Sequence, residues 1–231
     1  MMRGRERHSP HAAFVLVVTI FGLAISAALL RYPVPFVAES SGRRGVVAFA
    51  YDLVCIVGMV AVLFPVACSH LVGIRDLPTA TSQERGVRAT RFMSVQILHG
   101  HHPPESAKRH ELVIMGRSFC ATCYGLFAGA VLSLATVTVF GLSGWSVWTD
   151  TQPAYFMYLF GVSGVIAGLS QVLMPRISAR ARFALSFLFV VGTGLMLLAT
   201  DLLTANLGAD LFVILLAVFW LLSRISLSHR S

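Results

Sequence analysis

Charge is scarce in this sequence, and lysine is almost absent from it. Only 12% of the 231 residues are Asp, Glu, Lys or Arg, against about 25% in a typical soluble domain. Apolar residues make up 56% of the chain, and the mean hydropathy is +0.77. This composition excludes an ordinary soluble domain and indicates that most of the chain lies in a lipid bilayer.

The common catalytic signatures are missing as well. The sequence contains no H-E-x-x-H, no G-x-S-x-G and no P-loop, so it does not point to a zincin, an α/β-hydrolase or a P-loop NTPase. Its 18 basic residues exceed its 10 acidic residues. Nearly all of them are arginines in short segments between apolar runs, where membrane orientation and anionic headgroups explain them best. We therefore expect a lipid bilayer as partner and no nucleic acid.

Six apolar runs predict an all-α, polytopic membrane helix bundle with five or six transmembrane helices. A span needs about 20 mostly apolar residues, because the hydrocarbon layer is about 30 Å thick and a helix rises 1.5 Å per residue. The runs are 12–30, 46–68, 119–140, 154–174, 183–203 and 207–225. The last is the weakest, because Asp210 and Arg224 shorten its apolar centre.

The same pattern predicts three regions and an orientation. We expect an N-terminal transmembrane helix pair over 1–68, a cytoplasmic His-rich loop over 69–118 and further transmembrane helices over 119–231. Placing both termini in the cytoplasm puts most Lys and Arg residues on the cytoplasmic side, as the positive-inside rule requires. The chain is thus predicted to be a multi-pass protein of the cell membrane.

Cysteine is rare, and only one pair has a spacing with chemical meaning. The four cysteines do not form a secreted disulfide framework. Cys120 and Cys123 lie three residues apart at the head of the third run, so they share a helix face. We expect Ser118 to cap this helix. The positive end of the helix dipole then favours the thiolate, which is the form that binds metals or attacks electrophiles.

Four imidazoles precede this pair and complete a possible metal site. They belong to His99, His101, His102 and His110. Tetrahedral zinc takes four Cys and His ligands, often with a C-x-x-C half-site. The leading hypothesis is a zinc site made by Cys120, Cys123, His101 and one of the other three histidines. A redox-active thiol pair is one alternative. The other alternative is that there is no site, so that the histidines are solvated loop residues and the cysteines pack in the helix.

The stretch 116–129, G-R-S-F-C-A-T-C-Y-G-L-F-A-G, resembles the signature of the membrane protein family DUF2085. The upstream G-H-H-P-P-E at 100–105 and the later G-L-S-Q at 168–171, with Arg182 beyond it, are similar to further segments of that family. The resemblance covers roughly residues 97–195. Gly100 stands where the family has a cysteine, and Ala167 where it has an aspartate. The resemblance implies a polytopic membrane protein with a Cys/His site, and it implies no particular reaction.

Two other functions remain open. The first is a metal-dependent membrane enzyme that acts on a lipid or an anionic small molecule, with Arg176, Arg180 and Arg182 as an anion-binding clamp. No residue is assigned a catalytic role. The second is a transporter or channel that uses Asp52, since an acid inside an apolar run is costly and often functional. Alternatively, Asp52 pairs with Arg43 or Arg44 near the membrane surface.

Pairs of glycines four residues apart occur in the third and fourth runs. Such pairs let two helix backbones approach closely in lipid. We expect Gly125 with Gly129, and Gly164 with Gly168, to form helix contacts within the chain or in a helix-mediated homo-oligomer.

Overall fold

The computed structural model describes residues 10–31, 42–63, 88–92, 95–99, 111–114, 117–143, 152–171, 174 and 177–228. Apart from two short β-hairpins, these residues form an all-α bundle of six helices, of which five are long and apolar enough to cross a membrane. It is therefore a multi-pass membrane protein, and the predicted fold class is confirmed.

The helices follow the six apolar runs closely. They are α1 (Pro10–Arg31), α2 (Arg43–Leu63), α3 (Ala121–Ser143), α4 (Gln152–Ser170), α5 (Ala179–Thr204) and α6 (Leu207–Ser228). Helix α6 is apolar over Leu207–Ser223, and Asp210 lies in its first turn. Asn206 starts α6, because its side-chain Oδ1 accepts from the backbone N–H of Gly208 at 2.8 Å and of Ala209 at 3.3 Å.

Helix α5 lies at the centre and is buried along most of its length between α3 and α4. Its contact with α4 is a direct approach of backbones. A Cβ on Gly161 would lie 2.7 Å from the carbonyl oxygen of Gly192, and a Cβ on Gly192 would lie 2.6 Å from that of Gly161. Gly164 and Gly168 also face α5. The predicted helix contact of this glycine pair is thus confirmed, and it lies within the chain.

Polar side chains fasten α1 to two other helices. Trp220 Nε1 on α6 donates to Thr19 Oγ1 at 3.0 Å, and Tyr158 on α4 donates to Ser26 Oγ at 3.0 Å. The large apolar residues of α1 that point away from these contacts are exposed. In a membrane such side chains face lipid tails, so their exposure carries no aqueous cost.

Two antiparallel hairpins lie in the region predicted as a His-rich loop. The first pairs β1 (Arg88–Phe92) with β2 (Val95–His99), and the second pairs β3 (Glu111–Ile114) with β4 (Arg117–Cys120). The expected cap at Ser118 is wrong, because Ser118 lies in β4 opposite Val113. An extended strand uses the backbone of these residues for ladder hydrogen bonds, so the third helix begins at Ala121 and not at residue 119.

The two ends of the bundle are made by different sets of helix termini. The cysteine end comprises the start of α3, the end of α4 and the start of α5, with Cys120, Gln171 and Arg182. The turn end comprises the start of α2 and the α5–α6 turn, with Arg43, Asp201 and Asn206.

Candidate functional site

The thiols of the C-x-x-C sequence lie where a strand becomes a helix. Cys120 is the last residue of β4 and is 8% exposed, while Cys123 lies in the first turn of α3 and is partly buried. Neither is in a disulfide. Cys120 is therefore not inside the helix, as the sequence suggested, but directly before it. Both thiols remain at the helix mouth, where the positive end of the helix dipole favours a thiolate.

The second hairpin brings the preceding chain back to this point. Glu111 pairs with Cys120 in the ladder, and paired Cα atoms in antiparallel strands lie about 4.5–5.5 Å apart. The strand that follows His110 in the sequence thus reaches the helix mouth.

The proposed imidazole ligands fall almost entirely outside the described residues. His99 ends β2, and only its backbone is described. His101, His102 and His110 lie outside the described residues. Within the described part of the chain, no three His, Cys, Asp or Glu side chains are close enough to hold a metal ion. The zinc site therefore stays a prediction.

Close packing against α5 holds the start of α3 in place. A Cβ on Gly125 would collide with the carbonyl oxygen of Phe183 and lie 2.8 Å from the Cβ of Ser186. One turn further on, a Cβ on Gly129 would lie 2.8 Å from the carbonyl oxygen of Phe187. The predicted helix contact of this glycine pair is confirmed. Because the two backbones touch so near the first turn, the position of Cys123 is set by α5.

A buried polar cluster adjoins the same place. Gln171 Nε2 donates to the carbonyl oxygen of Arg182 and to Ser186 Oγ, both at 3.3 Å, and Ser186 Oγ donates to the carbonyl of Arg182 at 2.6 Å. Ser186 also contacts Gly125, so this cluster touches the helix that carries Cys123. The family resemblance pointed to Gln171 and Arg182, and Arg182 also belongs to the predicted anion clamp. The sequence carried no signal for Ser186.

The three arginines of the predicted anion clamp do not share one environment. Arg180 is exposed, Arg182 is 8% exposed, and Arg176 lies outside the described residues. Residues two apart on a helix point about 200° away from each other. Arg180 and Arg182 therefore leave α5 on different faces.

Asp52 is held by a neighbouring helix and not by an arginine. Thr138 Oγ1 on α3 donates to Asp52 Oδ2 at 2.7 Å. The expected pairing with Arg43 or Arg44 is wrong, because α2 directs both arginines toward α5 and α6. Nine residues of helix separate Asp52 from Arg43, which is about 13 Å.

The partners of these arginines form an ion cluster that the sequence did not predict. Arg43 Nη2 lies 2.6 Å from Asp201 Oδ1, and Arg43 Nη1 lies 2.6 Å from Asp210 Oδ2. Arg44 Nε lies 3.4 Å from Asp201 Oδ2. The side chain of Arg43 is 9% exposed and that of Asp210 is fully buried. A signal existed, since two acids flank the predicted turn near Asn206 and two arginines start α2.

A second unpredicted cluster consists of hydroxyl groups in the middle of the bundle. The hydroxyl of Tyr51 lies 2.9 Å from Ser133 Oγ and 3.2 Å from Thr193 Oγ1, and it donates to the carbonyl of Val190 at 3.4 Å. It joins α2, α3 and α5. Hydroxyls on apolar helices are common, so the sequence carried no distinctive signal for it.

Comparison with known proteins adds no relative. No protein-family model, no curated protein and no solved structure matches the chain.

Proposed function

We propose that this chain is a cell-membrane protein with both termini in the cytoplasm, and that its cytoplasmic face binds zinc. The ligands are Cys120, Cys123, His101 and one of His99, His102 or His110. Its resemblance to the DUF2085 family is part of this proposal.

The β3–β4 hairpin carries the proposal. Its ladder pairs residue 111 with Cys120 at the mouth of α3, so a segment that follows the histidine cluster returns to the thiols. Neither Cys120 nor Cys123 is in a disulfide, and in the reducing cytoplasm thiols with C-x-x-C spacing favour metal binding over a disulfide. The donor set of soft thiols and imidazoles suits zinc.

The proposed role of the metal is structural. When bound by four protein ligands, zinc has no open position and acts by cross-linking the segments that supply its ligands. Here those segments are the histidine-bearing stretch and the start of α3. The close contact of Gly125 with α5 holds one side of this cross-link in place.

The orientation of the bundle has its own support. The starts of α2 and α6 and the end of α5 meet in the ion cluster, so helices alternate in direction through the bundle. The cysteine end then lies on the side of the arginine-rich region 69–118, which the positive-inside rule assigns to the cytoplasm. A fluorescent protein fused to the C-terminus should fold and fluoresce, and a periplasmic reporter fused there should be inactive.

Metal analysis of the purified full chain in detergent tests the site. We expect about one zinc per chain in the wild type and loss of most of it in the double variant Cys120→Ser/Cys123→Ser. The matched control is Cys55→Ser, because Cys55 is a buried free cysteine of α2 away from the hairpin. Equal zinc content in the wild type and the double variant would overturn the proposal.

A metal-dependent enzyme is the second candidate, and the Gln171–Ser186–Arg182 cluster favours it. A buried polar cluster beside the thiol-bearing helix is costly to maintain and is more common at working sites than in plain packing regions. An enzyme needs three protein ligands and an open position. Single replacement of each histidine distinguishes the two. If one histidine lowers the zinc content, the site has three ligands with the two cysteines and is open; if two histidines lower it, the site has four ligands and is closed.

A further inference from the structure

Buried polar groups line one seam of the bundle from end to end. The seam is the contact of α5 with α2 and α3, with α4 and α6 adding groups at the two ends. On α5 its members are Ser186, Thr193 and Asp201, seven and eight positions apart, or about 10–12 Å along the axis. All three side chains are buried. Each belongs to one polar cluster: Ser186 pairs with Gln171, Thr193 is in the hydroxyl cluster and Asp201 is in the ion cluster. We call these three clusters stations.

The station at the turn end can take up and release a proton. Two carboxylates from α5 and α6 share one guanidinium, and Arg44 contacts the first of them. Asp210 Oδ1 is buried and has no hydrogen-bond donor among the described residues. A buried carboxylate oxygen without a donor is costly. A proton on Asp210, or a water molecule beside it, satisfies this atom.

The central station can pass a proton in either direction. Thr193 Oγ1 donates to the carbonyl of Val190 at 2.7 Å, which leaves its lone pairs free to accept from Tyr51. The bond between Tyr51 and Ser133 can run either way, since either hydroxyl can be the donor. Hydroxyl groups that both donate and accept are the elements from which proton relays are made.

Two small cavities lie along the seam, the first between the ion cluster and the hydroxyl cluster and the second beside the hydroxyl cluster. The first, of about 20 Å³, is lined by Arg44 and Asp201 and extends to Val137 and Leu197 on the way to the central station. The second, of about 40 Å³, is lined by Tyr51 and Thr193 and continues past Phe189 toward Leu126 near the cysteine end. A cavity holds a water molecule when its volume for water centres exceeds about 10–15 Å³. Each cavity has a polar wall at one end that can hold such a molecule.

We propose that this seam is a proton-conducting path, in which water in the two cavities connects the ion cluster, the hydroxyl cluster and the Gln171–Ser186 station. Each step breaks one O–H bond and forms another on the neighbouring oxygen, and nothing is oxidised or reduced. The cavities are too small for a hydrated metal ion, so the path is selective for protons. The inference does not depend on the zinc site, because no proposed zinc ligand takes part.

Reconstituted vesicles test this path. The purified full chain is placed in liposomes that contain the pH indicator pyranine, a pH gradient is applied, and valinomycin with potassium on both sides holds the membrane potential at zero. We expect wild-type vesicles to acidify at least tenfold faster than protein-free vesicles. Tyr51→Phe, which removes the central hydroxyl and keeps the ring, should lower the protein-dependent rate at least fivefold.

Tyr158→Phe is the matched control. Tyr158 is also a buried tyrosine with a serine partner, but its partner Ser26 lies on α1, away from the seam. This variant should keep the wild-type rate. Equal rates for the wild type and protein-free vesicles, or for Tyr51→Phe and the wild type, would overturn the proposal.

A second measurement detects the water directly in the wild-type protein, so it does not depend on whether Tyr51→Phe folds. Brief hydroxyl-radical exposure of the wild type in vesicles should oxidise Tyr51 and Cys55, which adjoin the second cavity, because radicals form only where water is present. Tyr158 should react several times less. Equal protection of Tyr51 and Tyr158 would show a dry seam and contradict the path.

Discussion

The two ends of the bundle are held together by different forces. At the turn end, Arg43 joins α2 to α5 and α6 through charged contacts at 2.6 Å to two buried carboxylates. At the cysteine end, α3 meets α5 through the bare backbone of Gly125, and neutral hydrogen bonds of Gln171 join α4 to α5. One end therefore depends on charge and the other on shape.

This difference follows from what each end must hold. The α5–α6 turn leaves only Ala205 and Asn206 between two helices, and α2 reaches it from a distant part of the chain. The long side chain of Arg43 spans that gap and reaches both carboxylates. At the cysteine end, the first turn of α3 carries Cys123 and directly follows Cys120. Direct backbone contact holds this turn with no flexible side chain between the helices.

The largest effect is expected from Arg43→Ala at the turn end. The variant leaves Asp201 and Asp210 buried without their shared partner, and removal of one member of a buried ion pair costs about 3–5 kcal/mol. Unfolding of the purified protein in detergent with increasing SDS measures this loss. If the loss were below about 1 kcal/mol, in the range of exposed pairs, the turn end would not depend on charge.

Arg44→Ala is the control for that experiment. Its side chain is 34% exposed and lies at 3.4 Å from Asp201, so we expect a loss of less than about 1 kcal/mol. The neighbouring arginines thus separate the effect of a buried pair from that of a partly hydrated one.

Gly125→Ala should give the largest loss at the cysteine end. The added methyl collides with the backbone of Phe183, which cannot rotate away, and overpacking of this kind costs about 1–3 kcal/mol. We expect lower zinc content in the same preparation, since α3 carries Cys123 and begins directly after Cys120.

Gly45→Ala is the matched control for Gly125→Ala. Gly45 also lies in a helix, and a Cβ there meets nothing within 4 Å. Alanine is favoured over glycine in a helix by up to about 1 kcal/mol, so this variant should be neutral or stabilised. A neutral Gly125→Ala would show that shape does not hold the cysteine end.

The smallest of these effects is expected at the cap of α6. Asn206→Ala removes the oxygen that accepts from the amides of Gly208 and Ala209, and loss of such a cap costs about 1 kcal/mol. Asn206→Ser retains an acceptor, so its loss of stability should be only a few tenths of the loss in Asn206→Ala. The same SDS titration compares the two variants, and equal stability of all three proteins would exclude a role for the cap.

The sequence predicted the spans well and the polar contacts poorly. Six apolar runs became six helices with ends shifted by a few residues, because backbone groups in lipid must bond within their own segment. The glycine pairs were also informative, since a missing side chain permits close approach wherever the partner lies. Asp52 and the arginines show the limit. Their charges were visible, but which charge meets which depends on how α2 is rotated against α3, α5 and α6.

The start of α3 shows the same limit at shorter range. Ser118 is a good helix cap by residue type, yet it lies in β4 because residues 111–114 supply a partner strand. Local propensity gives way when a neighbouring segment offers a full set of backbone hydrogen bonds. That change moved Cys120 from the helix to the strand directly before it.

By itself, the amino-acid sequence determined that this chain is a bundle of membrane-spanning helices and where along the chain each helix lies, because the bilayer selects long apolar segments one at a time. Only the tertiary structure decided that Arg43 meets Asp201 and Asp210 and that Tyr51 meets Ser133 and Thr193. Those groups come from distant helices, and their pairing is set by the rotation and depth at which the helices pack.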